Sequence, residues 1–255
     1  MRPDPYAWSA DPSGIAAVSA AAAGYVLLVR AYPTPRWRVA CFGLGITLIV
    51  ATHVTPLAAL SNHYLLSIHL VQNIALAEWA PALCVLGVPP ALAAGLGAVP
   101  AVRILTHPLV ALPLWLGAYF AWHLPWAYDA ALTHHGSLLH LEHACYFVTG
   151  CLLWWPIFQD EPQRLTSGAK AVYLFGAFVL VSPLGLLLAL LPTAIYNFYV
   201  DAPRLWGLSP LADQQLAGVA MTAAELVVFL VACAVYFTRF LREEEAAGAL
   251  ISGSR

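Results

Sequence analysis

The chain has 255 residues, 61% of them apolar and only 9% charged, with a mean hydropathy of +0.76 and a formal charge of −2. Soluble globular proteins carry about 25% charged residues, so the composition excludes that class and points to an integral membrane protein surrounded by lipid. With no basic run and a slight negative charge, a nucleic-acid partner is excluded as well.

The stretch from Met1 to Gly14 holds Asp4, Asp11 and three prolines. It lacks the basic segment and apolar core of a cleavable signal, so the first span is expected to stay in the mature protein. Apolar runs of about 20 residues, the length that crosses a bilayer, fall at roughly 15–32, 38–60, 64–88, 106–124, 138–158, 169–192 and 213–238. The fold class read from them is all-α: a polytopic bundle of seven transmembrane helices forming one domain over 1–255. Arg30, Arg36, Arg38, Arg103, Arg164, Lys170, Arg239, Arg242 and Arg255 sit in alternate connections or after the last span, leaving Arg2 and Arg204 elsewhere. The positive-inside rule then predicts the N-terminus out and the C-terminus in.

Between spans three and four, residues 86–108 hold Gly87, Pro89, Pro90, Gly95, Gly97, Pro100 and Pro108 and read as a cytoplasmic loop with room for a short interfacial helix. Pro156 and Pro162 close the fifth span, and Pro183 with Gly185 is expected to kink the sixth. The tail from Arg242 through Glu243, Glu244 and Glu245 to Arg255 reads as solvated and frayed. Trp79, Trp115, Trp122, Trp126, Trp154, Trp155 and Trp206 are assigned mostly to the aromatic belts at the membrane interfaces.

Cys41, Cys84, Cys145, Cys151 and Cys233 all lie within spans and read as small buried hydrophobes. With Met1 and Met221 the only methionines, soft ligands are scarce, and a metal site would have to be mainly imidazole.

Histidine carries the chemistry. Of nine histidines only His107 falls on the cytoplasmic side of this topology; His53, His63, His69, His123, His134, His135, His140 and His143 fall on the other. Imidazole is the commonest protein metal ligand, so a one-sided crowd in an apolar chain calls for a chemical explanation. At 1.5 Å per residue, His53 is expected about 10 Å below the outer end of span two and His69 about 8 Å below that of span three, with His123, His140 and His143 at matching depth. The candidate ligand set is therefore His53, His69, His123, His140 and His143. His69, Gln72 and Asn73 share one helix face by their spacing, as do His140 and His143. Gln72, Glu142, Asp129, Asp213 and Gln214 are candidates to orient ligands through their outer ring nitrogens, with helix capping the leading reading for the two aspartates.

Deeper lie Glu78 and Glu225, each expected to be protonated, paired or facing a wet cavity. Gln214, Gly218, Met221 and Glu225 form one stripe whose glycine allows close helix approach. Glu78 lies nine residues past His69, about half a turn around the helix, so no relay along that single helix is expected.

Several local segments resemble a known family. They are His69-Leu70-Val71-Gln72, Glu78-Trp79-Ala80-Pro81 running on to Gly87-Val88-Pro89-Pro90, Trp122-His123-Leu124-Pro125-Trp126-Ala127-Tyr128-Asp129, His140-Leu141-Glu142-His143 followed by Trp154-Trp155-Pro156, and Asp213-Gln214-Gln215-Leu216-Ala217-Gly218. Together, over about residues 63 to 225, they resemble the CtaG-type cytochrome c oxidase assembly factors of bacteria. The resemblance implies a multi-pass protein of the bacterial plasma membrane whose partners are oxidase subunits and whose metal is copper. Members of that family generally carry a second histidine where this chain has Asn73, and an aromatic where it has Thr222.

Two other readings share the features. A haem-binding transmembrane electron carrier also places histidines on facing helices, but usually deeper. A metal or proton transporter would use a midplane path through Glu78 and Glu225. No nucleophile triad, phosphate loop or catalytic carboxylate pair can be assembled from the sequence, so the protein is not read as an enzyme.

Overall fold

The computed structural model describes residues 4–8, 12–134 and 137–253; Arg2, Asp11, His135 and Arg255 lie outside the described residues. Among the described residues there are helices and turns but no strand. This is the economical solution for a chain so apolar, because a helix satisfies its own backbone where water is scarce. In order the helices are α1 (Pro12–Ala31), α2 (Arg36–Val54), α3 (Pro56–His63), α4 (Leu66–Ile74), α5 (Ala80–Gly87), α6 (Pro90–Gly97), α7 (Pro100–Leu105), α8 (Pro108–Trp122), α9 (Pro125–Thr133), α10 (Leu138–Phe158), α11 (Ser167–Leu190), α12 (Asn197–Val200) and α13 (Pro210–Gly253). A single π turn, Ala75–Trp79, joins α4 to α5 into one continuous helix. Proline opens α3, α6, α7, α8, α9 and α13, where its missing N–H costs nothing.

All seven apolar segments are helical. Five helices, Gly14–Ala31, Arg36–Val54, Leu66–Gly87, Ser167–Leu190 and Pro210–Leu250, are long and apolar enough to cross a membrane, while Pro108–Trp122 is apolar but shorter. Helix α10 has the length, 21 residues, but carries His140, Glu142 and His143 in its first turns.

Leu66–Gly87 is the central helix and largely buried, whereas α1 is almost wholly exposed. The latter is held by Tyr25, whose hydroxyl donates to the Gly87 carbonyl at 2.8 Å and whose ring stacks on Phe42. Close approaches set the packing. A Cβ on Gly150 would lie 2.2 Å from the Ala77 carbonyl oxygen, so only glycine lets α10 press against the π turn, and α11 crosses α13 where Gly185 meets Gly218.

Four expectations need correction. The second span is not one helix: Thr55 is extended, with ψ of 172°, because a residue before proline is driven out of the helical region, and Pro56 starts α3. His53 therefore lies in the last turn of α2 and not 10 Å down a longer helix. The loop at 86–108 holds two short helices, α6 and α7. The tail is helical to Gly253, since Glu and Ala are strong helix formers, and Glu243 is tied back by Ser167 Oγ, which donates to it at 2.6 Å. Trp115 and Trp154 belong to the core, at 0% and 1% exposure, and not to an interfacial belt; the Trp115 indole donates to the Ala77 carbonyl.

The bundle has two chemically distinct ends. One gathers His53, His69, His123 and His143. The other gathers basic residues: Arg38 donates to the Leu86 and Val88 carbonyls, Gln163 Nε2 donates to the Arg103 carbonyl, and Lys170 pairs with Asp160 at 3.6 Å, while Arg204 bonds the Tyr199 carbonyl at the histidine end.

Candidate functional site at the histidine end

Loops here are sewn down by side chains that bond backbone. Asp213 on α13 accepts from the N–H groups of Leu66 and Ser67 at 2.7 and 3.1 Å and from Ser67 Oγ at 2.6 Å. This carboxylate caps the α4 N-terminus from 147 residues away, with the sign the helix dipole favours. Asp129 accepts from the N–H groups of Asn197 and Phe198 at 3.1 Å, fixing α12. Gln214 accepts from the Ile195 N–H at 2.8 Å and donates to the Thr193 carbonyl at 3.1 Å. Gln72 donates to the Thr52 carbonyl, beside His53, at 3.0 Å. Of the five candidate orienting groups, Glu142 lies directly against a histidine: its Oε1 is 3.9 Å from His69 Nε2 and accepts from Asn73 Nδ2 at 3.1 Å.

Backbone carbonyls settle which nitrogens of the neutral imidazoles carry protons, since a carbonyl only accepts. His53 Nδ1 lies 2.8 Å from the Ile49 carbonyl and must donate to it, so His53 Nε2 presents a lone pair. His143 Nδ1, 3.2 Å away, donates to that lone pair. The proton on His143 is thereby used, and its Nε2 is left as a lone pair that is buried without a hydrogen-bond partner. The same logic holds for His123, the residue that ends α8. Its Nδ1 donates to the Tyr119 carbonyl at 2.8 Å, and its Nε2 is a buried lone pair without a partner. His69, fully buried on α4, has no hydrogen-bond partner among the described residues at either nitrogen.

The rings of His69 and His143 lie 6.2 Å apart between centroids, those of His53 and His143 5.1 Å. His123 and His69 both pack on Tyr128, at 5.9 and 5.2 Å. His140 stands apart, exposed one turn before His143 and influencing it electrostatically. His134 is also exposed, with Nδ1 3.0 Å from the Ala130 carbonyl. Among the described residues no group of three or more His, Cys, Asp or Glu side chains is arranged to hold a metal ion. What fits a metal is the donor set: the lone pairs of His143 and His123, beside His69, are buried acceptors with no hydrogen-bond partner among the described residues.

A ring of tyrosines encloses these imidazoles, a feature that charge and histidine counting missed. Tyr128 stacks obliquely on Tyr196 at 4.2 Å, Tyr199 faces His69 at 6.2 Å, and the Tyr196 hydroxyl donates to the His123 carbonyl at 3.0 Å. Burial pushes the Tyr128 and Tyr199 hydroxyls well above the usual phenol range, so both are neutral. Helical spacing could have found two more, Tyr119 four residues before His123 and Tyr146 three after His143.

Glu78 and Glu225 are fully buried and near enough to interact electrostatically; the Tyr119 hydroxyl donates to Glu78 at 3.3 Å. Glu78 lies within the π turn, a distortion often found at functional positions.

Comparison with known proteins gives the setting. The chain is 27% identical over 238 residues to an uncharacterized protein of Mycobacterium leprae and 26% identical over 257 residues to one of Mycobacterium bovis; the alignments take in 84% and 91% of this chain but 36% and 38% of those relatives. It thus spans little more than a third of the length of the curated relatives it matches. No solved structure matches it. Residues 22–243 match the family described as cytochrome c oxidase caa3 assembly factor, and the chain belongs to that family.

Proposed function

We propose that this protein crosses the bacterial plasma membrane seven times with its N-terminus outside and serves cytochrome c oxidase maturation by holding copper, as cargo, at the histidine end. The observation that carries the reading is the pair of buried, unpartnered Nε2 lone pairs on His143 and His123, set by hydrogen bonds from their Nδ1 protons, with His69 buried beside them. A neutral imidazole with its far nitrogen anchored is the form that ligates a metal. In this reading His69, His123 and His143 hold the ion, His53 orients His143, Glu142 supplies negative charge beside His69, and His140 stands at the rim. Loading and release make and break only metal–ligand bonds, with no substrate converted, so the role in this reading is that of a carrier and not of an enzyme. The oxidase subunits that receive the ion are the partners.

Metal analysis of the purified protein tests this directly. His143→Ala is expected to lower copper occupancy and cellular oxidase activity together, while Glu225→Gln, below the histidine layer, leaves occupancy near the wild-type value. A protein that binds no copper yet still supports oxidase assembly would overturn the copper reading in favour of holding an oxidase subunit.

A further inference from the structure

At the basic end a cavity of about 480 Å3 opens between α2, α5, α10, α11 and α13. Its polar lining comprises three cations, Arg38, Lys170 and Arg239, against a single carboxylate, Asp160; its apolar wall is formed by Leu86, Phe158 and Val235. A positive-inside bias accounts for exposed cations at this end, but not for a buried one, and Lys170 is only 8% exposed.

The three cations are held in place. Arg38 Nη1 donates to the Leu86 and Val88 carbonyls, both at 2.9 Å. Lys170 Nζ and Arg239 Cζ lie 5.2 and 5.3 Å from the centroid of the same ring, Tyr236, whose hydroxyl is anchored on the Ile157 carbonyl at 2.9 Å. Fixed cations beside an apolar wall match a molecule with an anionic head and a hydrocarbon tail. Basic pockets between transmembrane helices are where such headgroups bind.

We infer that the cavity ringed by Arg38, Lys170 and Arg239 binds the phosphate headgroup of an anionic phospholipid. Its apolar wall, in which Val235 is exposed, favours a lipid over a soluble phosphate.

The test uses the full chain purified in dodecyl maltoside, with phosphatidylglycerol, phosphatidylcholine or inorganic phosphate added, read by native mass spectrometry for retained lipid and by thermal melting. Phosphatidylglycerol is expected to be retained and to raise the melting temperature, with phosphatidylcholine and inorganic phosphate inert. Lys170→Gln and Arg239→Gln should each weaken phosphatidylglycerol binding by about fivefold, the worth of one cation near an anionic lipid surface. Arg242→Gln, exposed on the same helix as Arg239 and outside the cavity, should leave it unchanged. Asp160→Asn should tighten binding, an arm that decides the matter if Lys170→Gln does not fold. Equal weakening by Arg242→Gln would show bulk attraction, an equal response to inorganic phosphate would show a soluble-anion site, and no response to phosphatidylglycerol would show no site; each overturns the inference. None of these measurements involves copper, so their outcome stands apart from that of the proposed function.

Discussion

The two ends of the bundle are both polar, yet they meet the demands of burial in opposite ways. At the basic end Arg36, Arg239, Arg242 and Asp160 are exposed, and Lys170, the buried member, has a carboxylate at 3.6 Å. At the histidine end His69, His123, His143, Glu142 and Asp213 are all buried, and four histidine ring nitrogens have no hydrogen-bond partner among the described residues. Leaving a buried polar atom unsatisfied costs about 1–3 kcal/mol, so a cluster of such atoms calls for a partner such as a water or an ion. The contrast teaches that the informative signal is not where polar residues collect but where they stay unsatisfied. It also shows how the arrangement is kept: Asp213, Asp129 and Gln214 hold the surrounding loops rigid through backbone bonds, which leaves the imidazoles no easy route to relax.

One carboxylate from each end tests whether the two differ in how tightly they are built. Asp213→Ala removes three hydrogen bonds to a buried helix start and is expected to destabilise the protein by about 2–3 kcal/mol, the scale of buried bonds to a charged group. Asp160→Ala loses a pair whose carboxylate is 66% exposed and should cost less than about 1 kcal/mol. Thermal melting of the two purified variants checks it. Equal shifts would mean that the histidine end is no more tightly built than the basic end.

Much of this organisation was legible in the residues, and the exceptions have physical reasons. Apolar runs located every long helix because lipid exposure imposes hydropathy over a whole segment. Counting along those segments also brought His53, His69, His123 and His143 to one end. The break at Thr55 was legible too, since threonine before proline marks a helix boundary, but the apolar run on either side concealed it. The π turn at Ala75–Trp79 leaves no mark in composition; it lies where Gly150 packs against Ala77. The bond from Asp213 to the start of α4 joins residues 147 apart, and no local pattern announces a cap delivered from another helix. The tyrosine ring was hidden because a neutral phenol adds nothing to a count of charges or histidines, and its burial shows only in the fold.

Glu142 offers the next sharpest test, because it separates charge from shape. Glu142→Gln keeps a carbonyl to accept from Asn73 and removes the negative charge 3.9 Å from His69 Nε2. Copper affinity, measured by competition with a chelator of known strength, is expected to fall by about 10- to 100-fold, the usual worth of a group that supports a ligand, while the melting temperature hardly moves. If stability falls and affinity does not, Glu142 belongs to the framework with Asp213 and not to the ion.

The smallest expected effect comes from Asn73. Asn73 is buried, one turn beyond His69 on the same face of α4, and its amide donates to Glu142. An imidazole in its place can keep that donation through one nitrogen and turn the other, as a lone pair, toward the space beside His69. Asn73→His is therefore expected to tighten copper binding by about threefold to tenfold, less than the loss at Glu142 because the larger ring must displace neighbours in a packed core. Affinity that rises with Asn73→His and falls back when His69→Ala is added would show that the two side chains act on one ion. Unchanged affinity would mean that the amide serves only to orient Glu142, which leaves the ligand set to His69, His123 and His143.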